Sequence, residues 1–274
     1  MEFGRLFCII DPTTQHQQSL DRAALIAQRN RTSVHAFLCF SPAPIVPSFD
    51  EAEYHRAERQ RHELWLNHLV FPLRQAGAEV TTEVVCTDDW RRTLASAVGA
   101  TDADLVIKST RPHSRLQRRF MTTSDWLVLR DARCPVVFAK QRSVAAVKTV
   151  LAAVNLGAKD DAHQRLTDSV IAAASEIATA IDAEMHAVNA YSSSRNRVHP
   201  PDLAKRAGIV RSRAHVGDAT PEELIAEIAS RVAADLVVIG SVGRKGLTGA
   251  VVGNTAERIL DTVDADVLVL VEPA

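Results

Sequence analysis

Ala103-Asp104-Leu105-Val106-Ile107 and Ala234-Asp235-Leu236-Val237-Val238-Ile239 are two versions of one phrase. Each is followed by a second β-branched run, Cys134-Pro135-Val136-Val137-Phe138 in the first instance and Asp266-Val267-Leu268-Val269-Leu270 in the second. Short apolar runs of this kind, separated by helix-length segments, are the pattern of buried parallel strands joined by crossover helices. The chain therefore reads as one α/β unit repeated head to tail. In the first half, strands are predicted near 5–11, 33–40, 79–86, 104–109 and 134–139. In the second they fall near 148–155, 183–190, 209–216, 235–240 and 266–271. Domains are placed at 1–143 and 144–274, with Gln141 to Val147 as the linker.

The two copies differ in length. Asp11 and Asn155 close the first strand of each half and lie 144 positions apart, whereas Asp104 and Asp235 lie 131 apart, so the second half is shorter by 13 residues. The loss falls after the second strand. The first half has a predicted helix from about Asp50 to Gln75, with Leu64, Trp65, His68 and Leu69 opposite a polar face. The second half has Ser192 to Pro201, a loop composition, with room for a short helix over Pro201 to Ala207. One flank of the second sheet is thinner than its counterpart. Packing of the two halves against each other is expected to cover it, because a bare parallel sheet exposes apolar strands.

Composition sets the class. The chain has 274 residues, 46% of them apolar and 24% charged, which fits two globular domains and not a disordered polymer. A formal net charge of −1 gives no whole-molecule field toward nucleic acid or an anionic membrane. Cys8, Cys39, Cys86 and Cys134 are far apart with no CxxC, and three lie in strand-like runs. They read as buried reduced thiols, which favours the cytoplasm. No stretch has the length of a membrane span or the form of a signal peptide, so neither insertion nor secretion is expected.

Five of the eleven glycines fall between Gly240 and Gly253, in Gly240-Ser-Val-Gly243-Arg244-Lys245-Gly246-Leu-Thr-Gly249-Ala-Val-Val-Gly253-Asn254-Thr255. A strand precedes this loop and a helix start follows it. Missing Cβ atoms let backbone N–H groups approach phosphate oxygens, and a helix N-terminus adds attraction for an anion. Arg244 and Lys245 bring positive charge, while Asn254 and Thr255 bring side-chain donors. Plain turn chemistry accounts for glycines too, and Asn254 equally well serves as a helix cap. The spacing G-x2-G-x9-G is neither a Walker A loop nor the Rossmann GxGxxG.

This spacing resembles the ATP-binding signature of universal stress proteins. GNTAERIL, the opening IIDP, the internal TSDW and the segment LAAVNL together resemble the tandem subgroup called universal stress protein E, over essentially the whole chain. The resemblance implies an α/β fold of two tandem domains, each a five-stranded parallel sheet in order 3-2-1-4-5 flanked by helices. It implies a cytoplasmic stress-response protein that binds ATP, with Mg²⁺, through its C-terminal domain. Adenine would sit near Asn155, with the backbone at Val188 holding base or ribose and the phosphates on Gly240, Gly243, Arg244, Gly253, Asn254 and Thr255. The sequence departs from the family pattern twice, with Asn254 where Ser or Thr is usual and Asn155 where nucleotide binders carry Asp. Asp11 and Asn155 also read as caps of the following turn.

The first half has lost this signature. Ser109, Pro112 and Thr122 stand where the second half has Gly240, Gly243 and Gly253. Proline donates no N–H and each Cβ crowds an incoming phosphate. The same loop carries Arg111, His113, Arg115, Arg118 and Arg119, either a solvated basic loop or a site for a different anion.

No zinc spacing, nucleophile elbow or acid/base carboxylate pair is present, and His35, His186 and His215 fall in strands as packed residues. Asp88-Asp89 and Asp160-Asp161 open helices as caps. Trp65, Trp90 and Trp126 lie on helices without the basic interleaving of a single-strand binder. The leading expectation is a nucleotide-binding sensor with no catalytic residue assigned. Its alternatives are an interaction module with vestigial sites and a slow ATP hydrolase. The expected partners are adenine nucleotide, the other half of the chain and, as an open association, a second copy.

Overall fold

A computed structural model of the chain describes residues 3–29, 31–43, 50–110, 124–141, 146–193, 197–242 and 254–272. Two compact units emerge, one of Glu2–Ser109 with Asp131–Cys134, the other of Thr110–Arg130 with Pro135–Ala274. In the first, β1 (Arg5–Ile10), α1 (Gln18–Ala27), β2 (Ser33–Phe40), α2 (Glu51–Gln75), β3 (Glu79–Cys86), α3 (Trp90–Ala100) and β4 (Leu105–Ser109) follow one another. The strands are parallel in the order β3-β2-β1-β4, so β1 has neighbours on both sides. Leu6, Cys8, Val34, Ala36, Leu105 and Ile107 are buried, as expected for strands covered on both faces.

In the second unit, α4 (Ser124–Asp131) and β5 (Val136–Ala139) lead to β6 (Thr149–Val154), α5 (Asp161–Ile181), β7 (Glu184–Tyr191) and α6 (Pro200–Ala207). There follow β8 (Ala214–Asp218), α7 (Pro221–Arg231), β9 (Leu236–Val242), α8 (Asn254–Thr262) and β10 (Asp266–Glu272). Parallel pairing gives β8-β7-β6-β9-β10, the 3-2-1-4-5 order of the sequence analysis. The first half's own fifth strand adds a pairing beyond that scheme. Strand β5 lies in this second unit, antiparallel to β10, with Phe138 opposite Val267 and Val136 opposite Val269. A parallel sheet ending at β10 would leave a row of unpaired edge groups, and β5 satisfies them. Lys140 fastens the junction: its backbone N–H donates to Asp266 Oδ1 at 2.8 Å and its buried ammonium donates to the Leu260 carbonyl at the end of α8.

The repeated Ala-Asp-Leu-Val phrase has a structural purpose. Asp104 Oδ2 accepts the N–H groups of Gly4 at 3.0 Å and Arg5 at 2.9 Å, at the start of β1. Asp235 Oδ2 accepts those of Lys148 at 2.7 Å and Thr149 at 3.2 Å, at the start of β6. Each carboxylate satisfies backbone donors that precede the parallel ladder, so the two halves register their first and fourth strands by the same device.

Several expected boundaries move. Strand β8 starts at Ala214 instead of 209, because Gly208 (φ 67°) ends α6 with the Ile209 N–H on the Ala204 carbonyl, and Arg211–Arg213 then form a 3-10 turn. Helix α6 starts at Pro200, whose missing N–H costs nothing at a helix N-terminus. It covers β7 and β8 with Leu203, Ala204 and Ala207. Of the cysteines only Cys8 is fully buried, where loss of water pushes its thiol up to about 12. Cys39, Cys86 and Cys134 are partly exposed, and all four are free thiols.

Candidate functional site

Where β6 and β9 run side by side, the chain leaves each strand toward a different helix, and a crevice opens beyond their carboxyl ends. The crevice is a cavity of about 260 Å³. Asn155, Val188, Gly240 and Thr255, all expected at the site, line it together. Gly243, Arg244 and Gly253 lie outside the described residues, as does the Arg111–Arg119 loop of the first half. Asn254 opens α8, and its side chain is likewise outside the description.

Side chains that sequence reading did not single out make most of the wall. Leu166, Val170, Ile225, Ile239 and Ile259 supply aliphatic surface from α5, α7, β9 and α8, while Thr167, His163 and Ser241 supply polar atoms. Leu166 and Val170 are four apart on the buried stripe of α5, so the helical period carried a signal for them.

Polar contacts fix the loop after β6. The Thr167 hydroxyl accepts the Asn155 N–H at 3.4 Å and donates to the Asn155 carbonyl at 3.3 Å. Buried Asn189, one residue past Val188, accepts the Leu156 N–H at 2.7 Å through Oδ1. Asn155 thus contributes to the cavity with its backbone already engaged by its own chain. Asp160 caps α5 through the His163 N–H at 3.0 Å, and its Oδ1 also lies 2.7 Å from His163 Nδ1. The hydrogen bond from that imidazole holds the Asp160 carboxyl below its ordinary range. Among the described residues of the wall there is no carboxylate and no lysine or arginine.

Gly240 has a packing reason for being glycine. It lies within β9, and a Cβ built on it would stand 2.3 Å from Leu166 Cγ. The absent side chain makes room for Leu166, another residue of the cavity wall.

The first half treats the same place otherwise. Gln17, buried and N-terminal to α1, accepts the Asp11 N–H at 3.0 Å and donates to the carbonyls of Asp11 at 2.8 Å and Thr14 at 2.7 Å. Ser109, at the position of Gly240, accepts the Ser19 N–H at 3.1 Å, and the Ser19 hydroxyl donates to the Ile9 carbonyl at 3.0 Å. Asp11 caps a local turn by accepting Thr13 N–H at 2.8 Å and the Thr13 hydroxyl at 2.6 Å. Protein groups serve the strand end that a ligand would reach.

The strand histidines form polar networks. His35, opposite Phe7 in the ladder, meets Thr81 at 2.8 Å and Glu83 at 3.3 Å. Its repeat counterpart His186, opposite Leu151, stacks on His215 with Nδ1 3.0 Å from Nε2, and reaches Glu184 at 2.7 Å. Burial first, then the neighbouring His186 and Arg231, push His215 below its ordinary value.

The sequence pattern of the universal stress protein family matches residues 2–140 and 142–270. The chain belongs to the universal stress protein family. Among relatives, universal stress protein E of Escherichia coli K12 is 26% identical over 296 residues, covering 98% of this chain and 94% of that one. Universal stress protein E of Photorhabdus laumondii is 25% identical over 297 residues, covering 98% and 95%. A Pseudomonas aeruginosa chain, solved as a candidate universal stress protein, superposes with a TM-score of 0.75 at 31% identity over 98% of this chain and 93% of its own. A universal stress protein from Archaeoglobus fulgidus shares the fold at 15% identity, with a TM-score of 0.74 and 98% of both chains covered. Among the described residues of this universal stress protein, no helix is long and apolar enough to cross a membrane.

Proposed function

We propose that this stress-response protein binds an adenine nucleotide through its C-terminal half, in the cytoplasm, and that its output is a conformational or interaction state instead of a product. The observation that carries the reading is the cavity at the carboxyl ends of β6 and β9, walled mostly by aliphatic side chains with a few polar groups among them. Flat heteroaromatic bases suit such walls, since desolvating a ring against Val188, Ile225 and Ile239 is favourable and a few polar atoms set orientation. In this reading Asn155, Thr167 and Ser241 meet the base or ribose. The phosphates, with Mg²⁺, extend toward Thr255 and the stretch Gly243–Gly253. The free thiols, three of the four incompletely buried, are consistent with a reducing compartment.

Calorimetry with ATP and Mg²⁺ tests it. Heat of binding from the wild type, lost in Gly243→Val, supports the nucleotide reading. No heat from the wild type leaves an interaction module, a reading that the self-filled strand end of the first half already favours for residues 1–143. Steady turnover above slow background hydrolysis would make the protein an enzyme.

A further inference from the structure

Helix α2 is the largest element that the second half lacks, and the nucleotide reading makes no use of it. It runs 25 residues, roughly 37 Å at the usual helical rise. Its fully buried residues are Leu66, Val70 and Leu73, all in the C-terminal half of the helix. On the outer side Ala57, Leu64 and Phe71 recur every seventh residue, and Leu64 and Phe71 are 68% and 56% exposed. Only Val210 among the described large apolar side chains is comparably bare. An apolar line that recurs every seventh residue along an exposed helix face is suited to packing against another helix.

We propose that this face binds a second copy of the chain, the two α2 helices packing antiparallel about a two-fold axis through Leu64. The stripe is complementary to itself in that arrangement and in that direction. Leu64 meets Leu64, and Ala57 of each copy meets Phe71 of the other, a small residue against a large one. An isologous contact requires such self-matching. Charge follows the same symmetry: Glu53 near the N-terminus of one helix comes level with Arg74 near the C-terminus of the other, while Arg61 and His68 flank the centre. Antiparallel helices also oppose their dipoles favourably. Arg61 is held by Glu58 at 2.8 Å and Arg74 by Asn67 at 2.9 Å, which keeps both long side chains along the helix and clear of the apolar line.

Sedimentation equilibrium on the full chain over a wide concentration range is the test, with Leu64→Glu as the variant. A monomer–dimer equilibrium is expected in the wild type, with dissociation made about a hundredfold easier in the variant by two opposed carboxylates replacing two buried leucines. Leu64 is exposed, so an unchanged thermal melt confirms that the fold is intact. Oxidation then tests the axis. Leu64→Cys is expected to cross-link to itself, Ala57→Cys alone is not, because its two copies stand roughly 21 Å apart, and an Ala57→Cys with Phe71→Cys mixture is. Wild type in the same oxidant measures the background from native thiols. A wild type that stays monomeric overturns the proposal, as does a dimer indifferent to Leu64→Glu or one in which Leu64→Cys fails to link.

Discussion

The two halves begin alike and diverge at one end. Both anchor the first strand with an aspartate on the fourth, through Asp104 and Asp235. Both set a histidine at the same rung of the second strand. At the carboxyl end of that first strand, the N-terminal half uses Gln17, Ser19 and Ser109 to satisfy its own backbone, while the C-terminal half surrounds a cavity with aliphatic side chains and a few polar groups. A duplicated fold thus keeps the contacts that set strand order and varies those at the switch point, where side chains are free to change without disturbing the ladder.

Removing the first half's internal filling should show the largest effect. Gln17→Ala strips partners from the Asp11 N–H and from two carbonyls in a buried setting, so a loss of about 3 kcal/mol is expected in chemical denaturation. Thr167→Val, the matching change in the second half, should cost less, about 1 kcal/mol, because one hydroxyl is removed with little change of shape. Equal losses would mean that the two strand ends are held equivalently after all.

Gly240 against Ser109 sharpens the contrast further. Gly240→Ala drives a Cβ into Leu166 and should destabilise by roughly 1–3 kcal/mol, and the penalty should shrink in a Leu166→Ala background. Ser109→Ala should cost about 1 kcal/mol by orphaning the Ser19 N–H. An unaffected Gly240→Ala would show that the glycine is kept for a reason other than Leu166.

The shared anchors predict sameness. Asp104→Asn and Asp235→Asn should each lose about 1–2 kcal/mol, since a charged acceptor of paired N–H groups becomes a neutral one. Stability that Asp104 contributes, its carboxyl lowered in the fold, is present above the ordinary aspartate range and is lost as pH falls through the folded value. A marked difference between the two variants would break the equivalence.

The smallest expected effect separates the histidines. His215 is lowered in the folded state, so the unfolded chain binds more protons near its ordinary value of 6.5. The stability that neutral His215 supports is complete above that value and is lost as pH falls through the folded one. Thermal melts from pH 7.5 to 5.5 should therefore slope less in His215→Gln than in the wild type. An unchanged slope would exclude this pair as a source of pH sensitivity.

Strand order, the doubled plan and the position of the crevice were legible because apolar runs, helix-length gaps and glycine-rich stretches are local patterns. The Asp104 and Asp235 repeat was visible too, though its purpose was not, since an aspartate in a strand phrase does not reveal which distant N–H groups it will meet. Asn155, Val188, Gly240 and Thr255, which line the cavity, were named from the glycine motif and the family resemblance. Leu166, Ile225 and His163 were not, because they look like ordinary residues of amphipathic helices until α5 and α7 close over the sheet.

By itself the sequence determined a repeated α/β chain whose second copy is shorter, for hydrophobic period and turn residues act within a few positions of one another. Tertiary structure alone decided that β5 completes the edge of β10, that Leu166 occupies the space Gly240 vacates, and that one strand end is filled while the other is hollow. Those outcomes depend on which surfaces meet across many residues, and the free energy of a meeting belongs to neither partner alone.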